Sequence, residues 1–566
     1  MVSNWRLNFL LIFFILVGFA IGTRLFYWQV LSSQGLSAIA ASQHWVSFEI
    51  PAKRGQILAS DGYPLVSNQE AYLLFASIPQ IKDDIDSIAD RLALTLKDDD
   101  PATMTALIKE RLSRSDLVWV PLQHKVSRQQ KSQLQALEIE GLGFETEPQR
   151  SYPEGSASAH LLGFVGSDIN GSEKGYFGLE GYYDLELKGR AGLLKREKDA
   201  SGKPILVGDA SKEDEKDGRT IITTIDRTIQ YTIADKLQSA IKRYGAVAGS
   251  VIIARPQDGA ILGMVSYPNY DPASFADFDK NLFPNPVVAS SYEPGSTFKV
   301  LVMAAAINEG LVKPETHCDK CSGPRKIAEY TISTWNDQYH PNATMSEVIQ
   351  YSDNVGMVFV SEKLGISKMI EYLEKFGFGQ KTGIDLEDET ALSLREEKKW
   401  SSVDLATASF GQGIAVTPIQ MLRAVNVLAN QGKLVRPYIV EKMETDQGEI
   451  VLPESLPQQV INPTTASILT EMMVNAVDNG EAKWAKPEGY RIAGKTGTAQ
   501  IPVAGHYDEE KTIASFVGFA PADDPAFIML VTLREPSSSP WGSETAAPLW
   551  FEIADELFTY YGIQPG

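Results

Sequence analysis

The sequence predicts an α+β protein: one N-terminal membrane helix, a mixed α/β region, and a C-terminal domain with an antiparallel sheet flanked by helices and a helical subdomain inserted. Three observations carry this. An apolar stretch of spanning length occurs once, over 7–28. Two pairs of short apolar runs, 249–254 with 260–265 and 515–519 with 527–533, are each joined by turn residues and read as hairpins. Apolar residues at helical spacing precede the first hairpin (Ile229, Ile233, Leu237, Ile241) and follow the second (Leu549, Ile553, Leu557, with Pro548 at the start).

The chain has 566 residues. At about 150 residues per domain, three to four units are expected. Hydrophobic residues make up 43% and charged residues 22%, a composition of globular domains and not of a disordered chain. The formal net charge of −20 argues against nucleic acid as a partner.

In the anchor, the strictly apolar run 9–22 is short for a span and has the length of a signal-peptide core, with Ala20-Ile21-Gly22 as a cleavage site. The longer stretch 7–28 favours an uncleaved anchor. Arg24 can snorkel to the interface, and Tyr27 and Trp28 suit an aromatic belt. Arg6 and Arg24 flank both sides, so charge does not set the orientation. With no second span, everything after residue 30 lies on one side of the membrane. The expected divisions are 1–30 for tail and anchor, 31–218 for a mixed α/β region, and 219–566 for the C-terminal domain.

Within 31–218, Ser60-Asp61-Gly62 reads as a turn between strands. Ile85, Ile88, Leu92 and Leu96, then Met104, Ile108 and Leu112, predict two helices separated by Asp98-Asp99-Asp100-Pro101. The charged stretch 212–218 reads as a boundary loop. No internal repeat or long low-complexity tract occurs.

The chemistry centres on Glu293-Pro294-Gly295-Ser296-Thr297-Phe298-Lys299, where a helix is expected to begin. A hydroxyl and an amine three residues apart share a helix face. The helix start adds unpaired N–H groups and partial positive charge, a setting in which a serine with a nearby base becomes nucleophilic. Alone, S-x-x-K far more often describes a capping serine and a solvent lysine. Two further segments follow in order: Ser352-Asp353-Asn354 after a helical stretch, and Lys495-Thr496-Gly497-Thr498 on an expected strand. S-x-x-K, S-D-N and K-T-G in this order form the set of penicillin-binding proteins and class A β-lactamases. In this chemistry Ser296 is the nucleophile, and Lys299 the base if burial and the Lys495 charge lower its pKa. Ser352 relays a proton, Asn354 holds the substrate amide and Lys299, and the backbone N–H groups of Ser296 and Thr498 form the oxyanion hole. Lys495, Thr496, Gly497 and Thr498 bind a terminal carboxylate. No cofactor is required.

The chain resembles a class B penicillin-binding protein, a membrane-anchored peptidoglycan D,D-transpeptidase with a serine β-lactamase-like catalytic domain. Beyond the three motifs, the resemblance extends to Arg54-Gly55, Asp61-Gly62, Arg150-Ser151-Tyr152-Pro153, Gly178-Leu179-Glu180, Thr382-Gly383-Ile384-Asp385-Leu386, Phe410-Gly411-Gln412-Gly413 and Thr417-Pro418. It implies that 31–218 is the pedestal, or dimerisation, domain and that the catalytic domain is extracytoplasmic. It implies as substrate a stem peptide ending in D-Ala-D-Ala, with β-lactams as inhibitors. A membrane glycan polymerase and proteins of the division or elongation complex are the implied partners. No glycosyltransferase domain precedes residue 218, which fits class B, and no repeat modules are expected after Gly566. Ser352-Asp353-Asn354-Val355-Gly356-Met357 resembles division-type members more than elongation-type ones.

Cys318 and Cys321 depart from the general family pattern. A local disulfide, a zinc site completed by His317 and His340, and free thiols all stay open; zinc is not the favoured reading. Hydrolytic alternatives are a D,D-carboxypeptidase or a β-lactamase using Glu389 in its loop. Non-enzymatic alternatives are a divisome scaffold or a β-lactam sensor, the latter disfavoured by the short segment before the anchor.

Overall fold

Apolar residues on every side make α1 (Trp5–Phe26) a helix with no polar face, and none of its residues is buried by the rest of the chain. Together with a wider π-helical turn over Tyr27–Leu31 it forms a segment, Trp5–Leu31, long and apolar enough to cross a membrane. The Arg24 guanidinium lies 5.0 Å from the centroid of the Trp28 ring. The computed structural model describes residues 4–37, 45–96, 100–114, 117–169, 171–197, 210–445, 448–452, 456–503 and 506–566. Asp98 and Asp99, expected in an inter-helix loop, lie outside these.

Two compact units form. The first is Met1–Arg54 with Lys188–Gly218. Besides α1 it holds a three-stranded antiparallel sheet of Trp45–Ile50, Gly192–Glu197 and Ala210–Glu213. The charged stretch expected to be all loop therefore begins as strand, with Lys212 opposite Leu194 and Glu213 opposite Leu193. Charged side chains suit such an edge because they discourage further strand pairing.

The second unit is Gly55–Leu187 with Arg219–Gly566. Its pedestal part is organised on the long strand Pro64–Ser77, which pairs with Leu142–Ser151 and Trp119–Val126. Helices Ile85–Leu96 and Pro101–Leu112 bury Ile88, Leu92, Leu96, Met104, Ile108 and Leu112 as expected, while Ile85, the first of the expected series, is only half-buried. Asp100 caps the second helix by accepting from the Thr103 N–H at 3.2 Å. The two distant segments Arg150-Ser151-Tyr152-Pro153 and Gly178-Leu179-Glu180 meet here. Arg150 Nε donates to Glu180 Oε1 at 2.7 Å, and both side chains are buried. Arg150 Nη1 also donates to Asn68 Oδ1 at 2.8 Å.

Asp226 opens α2 (Arg227–Tyr244), accepting from the N–H groups of Thr228 and Ile229. Its stripe Ile229, Ile233, Leu237 and Ile241 lies in the core. The catalytic sheet contains β1 (Ala248–Ala254) and β2 (Ile261–Tyr267). The inserted subdomain contains α3 (Lys299–Asn308), α4 (Asn354–Lys375) and α5 (Pro463–Asn479). The chain then returns as β3 (Ala493–Val503), β4 (His506–Ala520), β5 (Phe527–Arg534) and α6 (Ala546–Tyr561). The sheet order is β2-β1-β5-β4-β3, antiparallel throughout, with β3 at one edge.

One connection crosses the expected boundary at 218. Strand Val440–Thr445 pairs with Thr220–Thr223, which in turn pairs in parallel with Ile57–Leu58. The loop before that strand is anchored by Asp385, whose carboxylate accepts from the N–H groups of Ile439 (2.7 Å) and Val440 (2.8 Å) and from the Tyr183 hydroxyl (2.9 Å).

Glu180→Ala is expected to lower stability by about 3–5 kcal/mol, because it leaves a buried guanidinium uncompensated. Thermal unfolding of the purified protein measures this. Replacing both partners with apolar residues, Arg150→Met with Glu180→Leu, is expected to cost less than the single change.

Candidate active site

Ser296 lies in a 3-10 turn, Gly295–Phe298, and the α-helix proper begins at Lys299. This differs from the expected single helix, but positions three apart in a 3-10 turn eclipse one another, so Ser296 and Lys299 still share a face. From Lys299 to Ala306 every residue of α3 is buried. Lys299 is therefore wholly withdrawn from solvent. Its Nζ donates to the Ser352 carbonyl, to Ser352 Oγ at 3.2 Å and to Asn354 Oδ1 at 2.7 Å. Burial pushes its pKa well below the usual lysine range, the Lys495 ammonium adds to this, and Asp353 and Glu481 oppose it.

Ser352 sits between helix Met345–Gln350 and α4, in the left-handed region (φ 56°). That conformation is uncommon for a residue with a Cβ and marks a constrained position. Asp353 caps α4, accepting from the N–H groups of Val355 (2.7 Å) and Gly356 (3.1 Å). The cap fixes Asn354 as the first helical residue, and its Nδ2 donates to the Ser333 carbonyl at 3.1 Å. The middle motif is thus pinned from both sides.

Lys495, Thr496, Gly497 and Thr498 lie on the edge strand β3, as expected. Lys495 is buried, and its pKa is lowered to about 8 by burial, with Glu481 opposing the shift. Its Nζ donates to Thr496 Oγ1 at 3.1 Å. Thr498 Oγ1 accepts from the Gly542 N–H at 3.0 Å. Gly497 serves close packing: a Cβ there would lie 2.5 Å from Ser515 Oγ and 2.8 Å from Thr297 Cγ2. Gly411 holds the turn that carries Ser296. Its φ is +78°, a Cβ on it would overlap the Gly295 carbonyl, and its own carbonyl accepts from the Gly295 N–H at 3.1 Å.

These elements enclose a cavity of about 240 Å³ whose walls include Ser296, Ser352, Asn354, Thr496, Thr498 and Glu481. Sequence reasoning missed Glu481, Trp335 and Trp541, which also line it. The last two rings stand edge to face at 5.0 Å. Glu389, the loop carboxylate of the lactamase alternative, is not in this wall. It accepts from the Thr382 N–H at 2.6 Å and the Gly383 N–H at 3.1 Å, bracing its own loop.

Cys318 and Cys321 form a buried disulfide. The zinc set does not assemble. The His317 ring contacts the Asn342 carbonyl (2.6 Å from Nδ1), and the His340 ring stacks on Tyr351 at 4.0 Å. Among the described residues no group of three His, Cys, Asp or Glu side chains is arranged to hold a metal.

Comparison with known proteins agrees with this geometry. Residues 249–557 match the penicillin-binding protein transpeptidase domain, and residues 49–223 match the penicillin-binding protein dimerisation domain. The chain belongs to the class B penicillin-binding proteins, whose catalytic domain is a serine transpeptidase. It is 34% identical to stage V sporulation protein D of Bacillus subtilis over 99% of this chain and 86% of that protein. It is 28% identical to the peptidoglycan D,D-transpeptidase FtsI of Escherichia coli over 91% of this chain and 85% of that protein. Among solved structures it resembles a peptidoglycan synthetase of Bifidobacterium adolescentis (TM-score 0.73, 25% identity, covering 92% and 98% of the two chains). It also resembles penicillin-binding protein 3 of Mycobacterium tuberculosis complexed with aztreonam (TM-score 0.70, 25% identity, 92% and 98%).

Gly411→Ala is expected to slow acylation by a fluorescent penicillin by about 100-fold, through displacement of the turn that carries Ser296. In-gel fluorescence against time reads the rate.

Proposed function

We propose that this chain cross-links peptidoglycan stem peptides through an acyl-serine intermediate. The observation that carries the reading is the convergence of Ser296, Ser352, Asn354, Thr496 and Thr498 on one cavity above the buried Lys299. A donor peptide ending in D-Ala-D-Ala lies along the edge strand β3. Its carboxylate meets Lys495 and the Thr496 and Thr498 hydroxyls, with Gly497 keeping the strand close behind them. Ser296 Oγ attacks the carbonyl of the penultimate residue, and the developing oxyanion is held by the N–H groups of Ser296 and Thr498.

Lys299, as a neutral amine, takes the serine proton by way of the Ser352 hydroxyl: Ser296 passes its proton to Ser352 Oγ as Ser352 passes its own to Nζ. Two of its three neighbours, the Ser352 carbonyl and Asn354 Oδ1, can only accept. The third, the Ser352 hydroxyl, can either accept or donate. A neutral amine therefore keeps two donated bonds and receives one from Ser352, so the lysine loses its proton with every partner still satisfied. The proton returns through Ser352 to the departing D-Ala amine as the C–N bond breaks. An amine of a second stem then attacks the ester, which forms the new amide and frees Ser296. No metal or organic cofactor enters these steps.

In this reading residues 1–30 anchor the chain, 31–218 form the pedestal and 219–566 the catalytic domain, with everything beyond the anchor extracytoplasmic. β-Lactams acylate Ser296 in place of the donor. A membrane glycan polymerase supplies the strands, within a division complex. The division assignment rests on Ser352-Asp353-Asn354-Val355-Gly356-Met357; filaments on depletion support it, and rounded cells overturn it.

Ser296→Ala is expected to form no covalent adduct with penicillin by intact-protein mass spectrometry. An adduct in that variant would displace Ser296 as nucleophile. The pH dependence has a defined sign. Acylation needs Lys299 neutral and Lys495 charged. The rate is expected to rise with pH as Lys299 loses its proton, and to fall on the alkaline side near pH 8 as Lys495 does.

A further inference from the structure

Glu481 belongs to none of the three motifs, yet it lines the same cavity as Ser296, Ser352 and Thr498. It follows α5 by two residues, and that helix end is fixed to the segment before Ser352. Gln350 Nε2 donates to the Asn479 carbonyl at 3.4 Å, and Asn475 Nδ2 donates to Gln350 Oε1 at 3.0 Å. Gly480 gives no slack, since a Cβ on it would overlap the Ala476 carbonyl and lie 3.2 Å from that of Gln350. The carboxylate is thus delivered to the cavity by rigid neighbours. Its Oε1 is buried and has no hydrogen-bond partner, an arrangement that costs free energy unless charge compensates it.

The charges around it are few. Lys495 on β3 and Lys299 at the start of α3 act on it, and Asp353 at the cap of α4 acts with it on Lys299. On its own segment Asp478 and Lys486 pair with each other, and Lys483 is exposed. Two lysines thus face two carboxylates, and only Glu481 faces the cavity where the donor's own carboxylate arrives.

We propose that Glu481 is a positioning residue of the transpeptidase site, acting through Lys495 and Lys299 to keep the pocket charged for a carboxylate-bearing donor. This rests on the acyl-serine reading above. Burial raises the Glu481 carboxyl while Lys495 and Lys299 pull it down, and Glu481 in return raises both lysines. Without it, Lys495 sheds its proton at lower pH and the carboxylate clamp fails earlier. Lys299 also becomes neutral at lower pH, so both limbs of the rate profile move the same way. A purely structural role for Glu481 would change the height of the profile and leave its position unchanged.

The test is the pH profile of acylation by a fluorescent penicillin for the full chain in detergent, for wild type, Glu481→Gln and Glu481→Asp. The amide variant is expected to move the whole bell to lower pH by about half to one unit, leaving the rate at pH 8.5 about 3- to 10-fold below wild type. The aspartate variant is expected to recover at least half of that displacement. A Glu481→Gln profile that keeps its position, whatever its height, overturns the proposal, as does an aspartate variant no different from the glutamine one. Ser296→Ala is run alongside: an adduct in that control overturns the acyl-serine reading itself, whereas an unmoved Glu481→Gln profile with a silent control overturns only the role of Glu481.

Discussion

The site depends on taking a lysine out of water. An ammonium at the position of Lys299 has no solvent, so it must be surrounded by acceptors or give up its proton. The S-D-N segment answers both demands at once. It places a carbonyl, a hydroxyl and an amide oxygen around Nζ, and the hydroxyl can reverse its bond when the proton leaves. The left-handed backbone at Ser352, the cap at Asp353 and the anchoring of Asn354 on Ser333 all keep those three oxygens where a buried amine needs them.

The remaining groups are brought in by close backbone approach. Gly411 and Gly497 let the Ser296 turn, the 410–413 loop and the edge strand touch without side chains between them. The serine thereby sits between a helix start and a strand edge. The insert that carries the disulfide contributes as well. After Cys318 and Cys321 it supplies the Ser333 carbonyl to Asn354 and the Trp335 ring to the cavity wall.

Much of this was legible in the sequence because the relevant signals are local. The stripe from Ile229 to Ile241, the two hairpins and the three motifs each state their conformation within a few residues. The charge of Lys495 as a cause of the Lys299 shift followed from simple electrostatics. What was hidden depends on long-range placement. Glu481, Trp335 and Trp541 sit in segments with no motif, and only the packing of α5, the disulfide insert and the loop after β5 brings them to one wall. The pairing of Arg150 with Glu180 was likewise unreadable, although both segments stood out separately. The 3-10 turn at Ser296 and the strand at Lys212 were missed because propensity does not distinguish a tight turn from a helix start or a charged loop from a charged edge strand.

The strand Val440–Thr445 closes the pedestal sheet against Thr220–Thr223. A chain that emerges from its N-terminus therefore presents the pedestal strands long before their partner exists. Loop closure over such a distance is slow, since its entropy is lost before the contacts that reward it form. Throughout that interval the Thr220–Thr223 edge is unprotected. Final assembly of that sheet awaits the helical subdomain, and maturation of the two regions is one event, completed only after most of the chain has been made.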